Sequence, residues 1–528
     1  MFGKWFGMSR HAASSCNGAL MVSEVEPEGP ASEEASSSTA KRSEDPSPGL
    51  DRFACGSGWR WALRRAMPVE RDAALRRSRN RYPPRGSTSL TMTLLGGLLI
   101  WSACGATASA QDLVALLPQP EGLAWPTEGW EVGSLPEEIA ADVQAHVDDV
   151  MARQRGDELG ETRAVVIIHR GKLVLEAYRD GFGPDTKQVS WSMAKSITSA
   201  LVGRSVQLGL IDDIDYPMPS PFAEDDPRRE ITWRQWLTMT DGLDYLEIGA
   251  ETMAENDVIQ MTYGPGRYDV IQYIVDELPP AHEPGMHWNY STAGFHLIGR
   301  ALLELSRSTE NVKPVEDPIV EAEDLTPTSV QFIERCLSGV MNATEGQMSD
   351  PLPVMQQGPC ALGRHMRLFD RLGMDAQPEF DAAGNFLGGS LVWASARDFA
   401  KFGYLYLRDG VWEGDRLLPE GWVDFSRTGA LGDDGNVYGA GWWITTGGEE
   451  PSPDYQLRTS PPWDSFAAEG HEGQTLYVVP SRDLVIVRLG LMRNGGNNWP
   501  ALFQWNQTLA SMFPETRFAS TPDNANMP

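Results

Sequence analysis

Apolar residues recur along the chain with two periods, and their order predicts a sheet assembled from both ends of the sequence. Residues 137–155 place Ile139, Val143, Val147, Val150 and Met151 at helical spacing and read as an amphipathic helix. Residues 164–168 and 173–177 are dense in Val, Ile and Leu and read as strands, joined by a turn at 169–172 that holds Gly171. Residues 196–208 read as a buried helix, 231–233 open a short helix with Thr232 as its N-cap, and 295–305 form a third. Near the far end, 475–479 and 484–488 read as a hairpin across 480–483, and 502–512 as a closing helix. Hairpins at both ends with helices between them predict an α/β (α+β) chain with an antiparallel sheet flanked by helices. No repeat of solenoid period is evident.

The pattern fails in two stretches. Residues 307–360 are acidic, polar and interrupted by proline, with one helical patch at 330–337, and read as an insertion. At the start, residues 22–50 are rich in Ser, Glu, Pro and Ala and cannot bury enough apolar surface to offset chain entropy. Residues 60–85 then carry nine arginines against Glu70 and Asp72. An uncharged stretch follows from 87 to 110, with an apolar centre at 94–101 and the exit Ala108-Ser109-Ala110 before Gln111. A basic flank, a short apolar run and a small-x-small exit are the parts of a secretory signal peptide, and the run is short for a membrane span. The expected organisation is therefore an extension at 1–91, disordered or preceding the true start near Met67, and a signal-like segment at 92–110. An extended arm at 111–135 leads into a main domain at 136–514 with the insertion, and 515–528 form a tail. Export to the periplasm or beyond is the expectation; a membrane-anchored extension and a lipid-bearing Cys104 are the alternatives.

Charge divides the chain at the same place. Of 44 Lys/Arg and 73 Asp/Glu, residues 1–110 hold 14 and 10, leaving 30 and 63 for 111–528. So acidic a main domain argues against a nucleic-acid partner. At 41% hydrophobic residues the chain has material for a large core. Its five cysteines contain no Cys-x-x-Cys pair. Cleavage at Ala110 would leave Cys336 and Cys360, which an oxidising compartment would pair across the second half of the insertion.

Most catalytic motifs are missing: no phosphate loop, no complete Gly-x-Gly-x-x-Gly, no Gly-x-Ser-x-Gly elbow. His282, Glu283 and His287 fail as a zinc site, because Pro284-Gly285 breaks the helix it would need; no metal or cofactor is expected. What stands out is Ser192-Met193-Ala194-Lys195. Three residues apart on a helix, the amine lies beside the hydroxyl, and a desolvated neutral lysine can take a serine's proton. The same tetrad spacing at Ser38–Lys41 lies in low-complexity sequence, without the strands before or the apolar helix after that Ser192 has.

Two more pieces follow in order: Tyr290-Ser291-Thr292 before a helix, and Gly470-His471-Glu472-Gly473-Gln474 opening the last hairpin. Ser-x-x-Lys, then a tyrosine motif about 100 residues on, then a glycine-bearing late strand: this order resembles the serine β-lactamase and penicillin-binding superfamily. The class C-like branch, with family VIII carboxylesterases and 6-aminohexanoate-dimer hydrolases, is nearest. Residues 231–243, 284–299 and 384–410 resemble it further. The resemblance implies a β-lactamase/transpeptidase-like fold, with an all-helical lobe between the halves of the sheet and the site in the cleft. It implies Ser192 as the acylated nucleophile and Lys195 with Tyr290 as shared general base. The N–H groups of Ser192 and Gln474 would form the oxyanion hole. His471, Gly473 and Thr292 would contact substrate, while Trp191 and Trp288 either line an acyl pocket or pack in the core, the latter being preferred.

This sequence departs from β-lactam-active relatives at two positions. Thr292 stands where they carry Asn, and His471-Glu472-Gly473 where they carry Lys-Thr-Gly. Glu472, next along a strand, should point away from His471. The expected function is an exported serine hydrolase acting on a small-molecule carboxylic ester or amide. The alternatives are β-lactamase or D-amino-acid peptidase activity, and a non-catalytic cell-envelope binding protein of the same fold.

Overall fold

A computed structural model describes residues 113–307, 363–430, 437–445, 462–492 and 498–516. The Arg-rich extension, the signal-like segment, Cys104, Cys336, Cys360, nearly all of the insertion and most of the tail lie outside the described residues.

In chain order the described helices are α1 (Ala140–Ala152), α2 (Ala194–Gln207), α3 (Trp233–Leu237), α4 (Asp257–Thr262), α5 (Val270–Glu277), α6 (Thr292–Arg307), α7 (Gly363–Leu372), α8 (Ala396–Leu407), α9 (Trp422–Ser426) and α10 (Trp499–Met512). The strands are β1 (Glu161–His169), β2 (Lys172–Tyr178), β3 (Gln188–Val189), β4 (Gln377–Pro378), β5 (Val392–Ala394), β6 (Val411–Trp412), β7 (Asp415–Arg416), β8 (Trp443–Ile444), β9 (Phe466–Gly470), β10 (Gln474–Val479) and β11 (Leu484–Leu491). Among them, six form one sheet in the order β2-β1-β11-β10-β9-β8, every pair antiparallel. The N-terminal hairpin meets the C-terminal one along β1 and β11, where Val166 faces Val487 and Ile168 faces Val485. This is the antiparallel, helix-flanked sheet expected from the apolar pattern.

Alternation along the strands divides the core. Ala164, Val166, Ile168, Leu476, Val478, Val485 and Val487 face the larger cluster, with α2, α6 and α8. Val165, Ile167, Tyr477, Val479, Leu484 and Ile486 face the smaller one, with Val143, Val147 and Val150 of α1 and Trp505 and Leu509 of α10. A sheet covered on both faces needs apolar residues at nearly every position, which is why β1 and β11 read as continuous rather than alternating runs. Residues 208–307 supply the helical lobe, α3 to α6. Thr232 caps α3 as expected: its hydroxyl accepts from Gln235 N at 3.2 Å, and Gln235 Oε1 accepts from Thr232 N at 2.9 Å. The arm at 113–135 runs in turns and extended backbone, and its Trp125 and Trp130 pack on Tyr404. Among the described residues no helix is long and apolar enough to cross a membrane.

Two buried arginines fix the hairpins. Arg488, without exposed surface, donates to Gly473 O at 2.7 Å, Leu159 O at 2.7 Å and Thr162 Oγ1 at 3.1 Å. It thereby locks the turn after β9 onto the sheet. Burial lowers its pKa to about 9. Arg408, at the end of α8, donates to Asp483 Oδ1 at 2.6 Å, and Asp483 O accepts from Arg170 N at 2.9 Å. Asp483 thus ties the two hairpin turns together through its backbone carbonyl and holds α8 through its carboxylate. Removing one partner of a buried pair leaves the other charge uncompensated, at about 3–5 kcal/mol. Asp483→Ala should therefore lower stability by that order in urea unfolding, whereas Asp415→Ala, at an exposed pair with Arg371, should change it by under ~1 kcal/mol. Equal effects would contradict this account of the hairpin junction.

Candidate active site

Ser192 sits where a short strand turns into a helix. β3 ends at Val189, and Ser190 then docks on β5, donating its N–H to Val392 O at 2.8 Å and accepting from Val392 N at 3.0 Å. A 3-10 turn, Trp191–Met193, leads into α2. Trp191 has φ of 45°, a left-handed conformation that costs a bulky residue roughly 1–3 kcal/mol and persists only under packing constraint. β9 supplies that constraint. A Cβ on Gly470 would stand 2.1 Å from Ser190 O and 3.1 Å from Trp191 Cβ, so the close approach of strand and turn requires glycine there.

Lys195, one turn on, has no exposed surface. Its amine donates to Ser192 Oγ at 3.0 Å, Thr292 Oγ1 at 2.8 Å and Gly389 O at 2.7 Å. Three acceptors match the three N–H bonds of an ammonium. Burial lowers the pKa to about 8, opposed by the charge of Glu247. The neutral form is therefore accessible close to neutral pH, and its lone pair can receive the Ser192 proton.

Tyr290 lies against this pair. Its ring centroid is 4.9 Å from Lys195 Nζ, it stacks on Trp443 at 5.3 Å, and Tyr438 meets it edge-on at 6.0 Å. Burial first, then Tyr438, Glu247 and Glu469, push the phenol well above its usual range, against a hydrogen-bonding contact with Ser192. At neutral pH Tyr290 is a phenol that can pass a proton, and Lys195 is the group that titrates.

The remaining expected residues divide. Thr292 has no exposed surface and stands behind the Lys195 amine, not on an open wall. Trp288 is buried, beside Tyr438 and Trp443, which is the packing role. Trp191 is half-buried and meets the His471 ring edge-on at 5.4 Å. Residues 471–473 form a 3-10 turn, with Glu472 at φ 62° and Gly473 at φ 84°, and no strand. Strand alternation therefore cannot orient Glu472 away from His471 as expected. Gln474 begins β10, and its side chain turns to β11: it donates to Gly490 O at 2.8 Å and accepts from Gly490 N at 2.9 Å. Gly470 lies against Ser190 and Trp191, and the His471 ring meets Trp191. His282 and His287 come together at 4.2 Å between ring centroids, but among the described residues no three His, Cys, Asp or Glu gather as metal ligands.

Four residues escaped the motif reading. Gly389 supplies the Lys195 acceptor, and its N–H donates to His296 Nδ1 at 3.3 Å. His296, wholly buried and facing Lys195, has its pKa lowered to about 3 and stays neutral. Glu247 and Tyr245 lie beyond Thr292. Gly388-Gly389 and His296 lie inside resembling stretches, at 384–410 and 284–299, whereas Glu247 and Tyr245 lie outside them.

A Cβ on Gly389 would lie 2.7 Å from Thr292 O and 2.8 Å from Thr292 Cγ2, driving the Lys195 acceptor away from α6. Gly389→Ala should slow labelling of Ser192 by a fluorophosphonate at least ~10-fold, the equivalent of about 1.4 kcal/mol, with the circular dichroism spectrum retained. An unchanged rate would show that this carbonyl does not hold the amine.

The family model described as Beta-lactamase matches residues 147–490. The chain is 23% identical over 360 residues to the 6-aminohexanoate-dimer hydrolase of Paenarthrobacter ureafaciens, covering 64% of this chain and 73% of that protein. An uncharacterized protein of Alkalihalophilus pseudofirmus is 22% identical over 341 residues, 62% of this chain and 82% of its own. Among solved structures, a penicillin-binding protein homolog from Caulobacter crescentus is 15% identical with a TM-score of 0.44, covering 72% of this chain and 99% of that one. The match to the family model spans well over half the sequence and includes Ser192, Lys195, Tyr290 and the turn after β9, and the chain belongs to the Beta-lactamase family.

Proposed function

We propose that the protein is a serine hydrolase that cleaves a small carboxylic ester or amide through an acyl-enzyme on Ser192. The observation that carries this reading is the wholly buried Lys195 amine bonded to Ser192 Oγ, with its pKa lowered to about 8. In the forward step neutral Lys195 takes the hydroxyl proton as Ser192 Oγ bonds to the substrate carbonyl carbon. The oxyanion is held by N–H groups of Ser192 and of the turn at 471–474, Gln474 among them. Collapse of the tetrahedral intermediate breaks the ester or amide bond, and the leaving oxygen or nitrogen receives the proton from Lys195 through the Tyr290 hydroxyl. Water then attacks the acyl group, giving its proton to Lys195; the carboxylic acid departs, and Ser192 regains its proton. Ser192 Oγ contacts both the Lys195 amine and the Tyr290 hydroxyl, which places it between the two proton carriers.

The surroundings favour esters and uncharged amides over β-lactams. A substrate carboxylate needs a cation; the Lys195 amine beside Tyr290 is committed to Ser192, Thr292 and Gly389, and the carboxylates of Glu247 and Glu469 also act on Tyr290. His471 occupies the place of the lysine carried by β-lactam-active relatives, and Thr292 is engaged by Lys195. A relative named as a 6-aminohexanoate-dimer hydrolase supports hydrolysis outside the β-lactam class. Ser192→Ala should abolish fluorophosphonate labelling and lower hydrolysis of a short-chain p-nitrophenyl ester at least ~1000-fold, while Ser38→Ala changes neither. The wild-type protein should turn over cephalosporins far more slowly than such an ester; the reverse order would overturn the substrate assignment.

We further propose export, which rests on the segment at 87–110. Amino-terminal sequencing of protein from the cell envelope should begin at Gln111; a start within 1–91 would contradict cleavage.

A further inference from the structure

Lys195 is wholly buried among groups that are mostly uncharged near neutral pH. Tyr290 and Tyr245 are phenols held well above their usual range, and His296 is a neutral imidazole. From the loop between α3 and α4, however, Glu247 reaches the start of α6. Its Oε2 accepts from Thr292 N at 3.2 Å and from Tyr245 Oη at 2.8 Å, while Thr292 Oγ1 accepts from Lys195 Nζ at 2.8 Å. The Glu247 carbonyl accepts from Asn256 Nδ2 at 3.0 Å and the Tyr245 carbonyl from Asn289 Nδ2 at 2.7 Å, so two asparagines fix the loop. A continuous path therefore runs from the nucleophile through Lys195 and Thr292 to a carboxylate.

We propose that Glu247 is a positioning residue for the Ser192–Lys195 pair: it fixes Thr292 at the head of α6 and keeps a negative charge facing the amine. The proton occupancy of Lys195, and with it the reactivity of Ser192, depends on that charge. This inference rests on the acyl-enzyme reading above. The groups around the amine are few: Ser192 from its own turn, Tyr290, Thr292 and His296 from α6 and the segment before it, and Gly389 O from the segment before β5. Glu247 with Tyr245 comes from the lobe loop, and beyond Tyr290 lie Tyr438 and Glu469 of β9. Of these, Glu247 and Glu469 are the carboxylates, and Glu247 is the one that raises the proton affinity of Lys195. It works against burial and keeps the amine basic enough to take a proton from serine, because a base of much lower pKa removes a hydroxyl proton poorly.

The sign follows. An ammonium facing a carboxylate holds its proton to higher pH; without that charge it releases the proton at lower pH. The measurement is the rate of Ser192 labelling by a fluorophosphonate between pH 5 and 10, which reads nucleophile activation without a known substrate. In Glu247→Gln the acid limb should move down by roughly one pH unit, with a lower plateau, while Glu247→Asp should keep the wild-type limb. A role confined to folding would lower the plateau of both variants and leave the limb in place, and that result would overturn the inference. Absence of labelling in the wild-type protein would instead overturn the acyl-enzyme reading, and this inference with it.

Discussion

A primary amine stripped of water must find three hydrogen-bond acceptors or give up its proton, and Lys195 is poised between the two. Its acceptors come from distant parts of the chain: Ser192 one turn away, Thr292 at the head of α6, and Gly389 in the segment before β5. Each is placed by packing. α2 and α6 lie side by side in the larger core, and Gly389 fits where a Cβ would strike Thr292. Burial lowers the pKa of the amine and a carboxylate partly restores it, leaving the group able to switch state near neutral pH. Much of the structure can be understood as the scaffold needed to keep one amine dry and correctly surrounded.

The scaffold explains the strain beside the nucleophile. Trp191 is held left-handed because β9 presses Gly470 against Ser190, and β9 is itself held by the turn that Arg488 and Met492 N secure through Gly473 O and Glu472 O. β11, which carries Arg488, pairs with β1 on its other side. The joining of the N- and C-terminal hairpins is thus mechanically upstream of the site: it sets where β9 lies, and β9 sets the Ser192 turn.

How much of this could be read from the residues follows from which interactions are local. Both end hairpins, α1, the Thr232 cap and the Ser-x-x-Lys face depend on neighbours a few residues apart, and they were legible. Helix α8 was not, beyond its membership in a resembling stretch: the polar stripe of Arg397, Asp398 and Lys401 suggests a solvent face, yet Asp398 and Lys401 are buried. The 3-10 turn at 471–473 reads as strand in the sequence because its left-handed Glu472 carries no glycine signal. The motif position of Thr292 suggests substrate contact, yet its hydroxyl accepts from an amine 97 residues away in sequence. Glu247, Tyr245 and His296 form no motif, and their role appears only once the lobe folds onto α6. Local patterns located the nucleophile and its base; the groups that tune them are tertiary.

The central claim is that this surrounding makes Ser192 the atom that carries the acyl group. Intact-protein mass spectrometry after millisecond mixing with a p-nitrophenyl ester tests it most directly. The account predicts a transient mass increase equal to the acyl group, located by peptide mapping on the peptide that contains Ser192 and lost on a timescale matching turnover. Ester hydrolysis with no covalent adduct, or with the adduct on another residue, would contradict it.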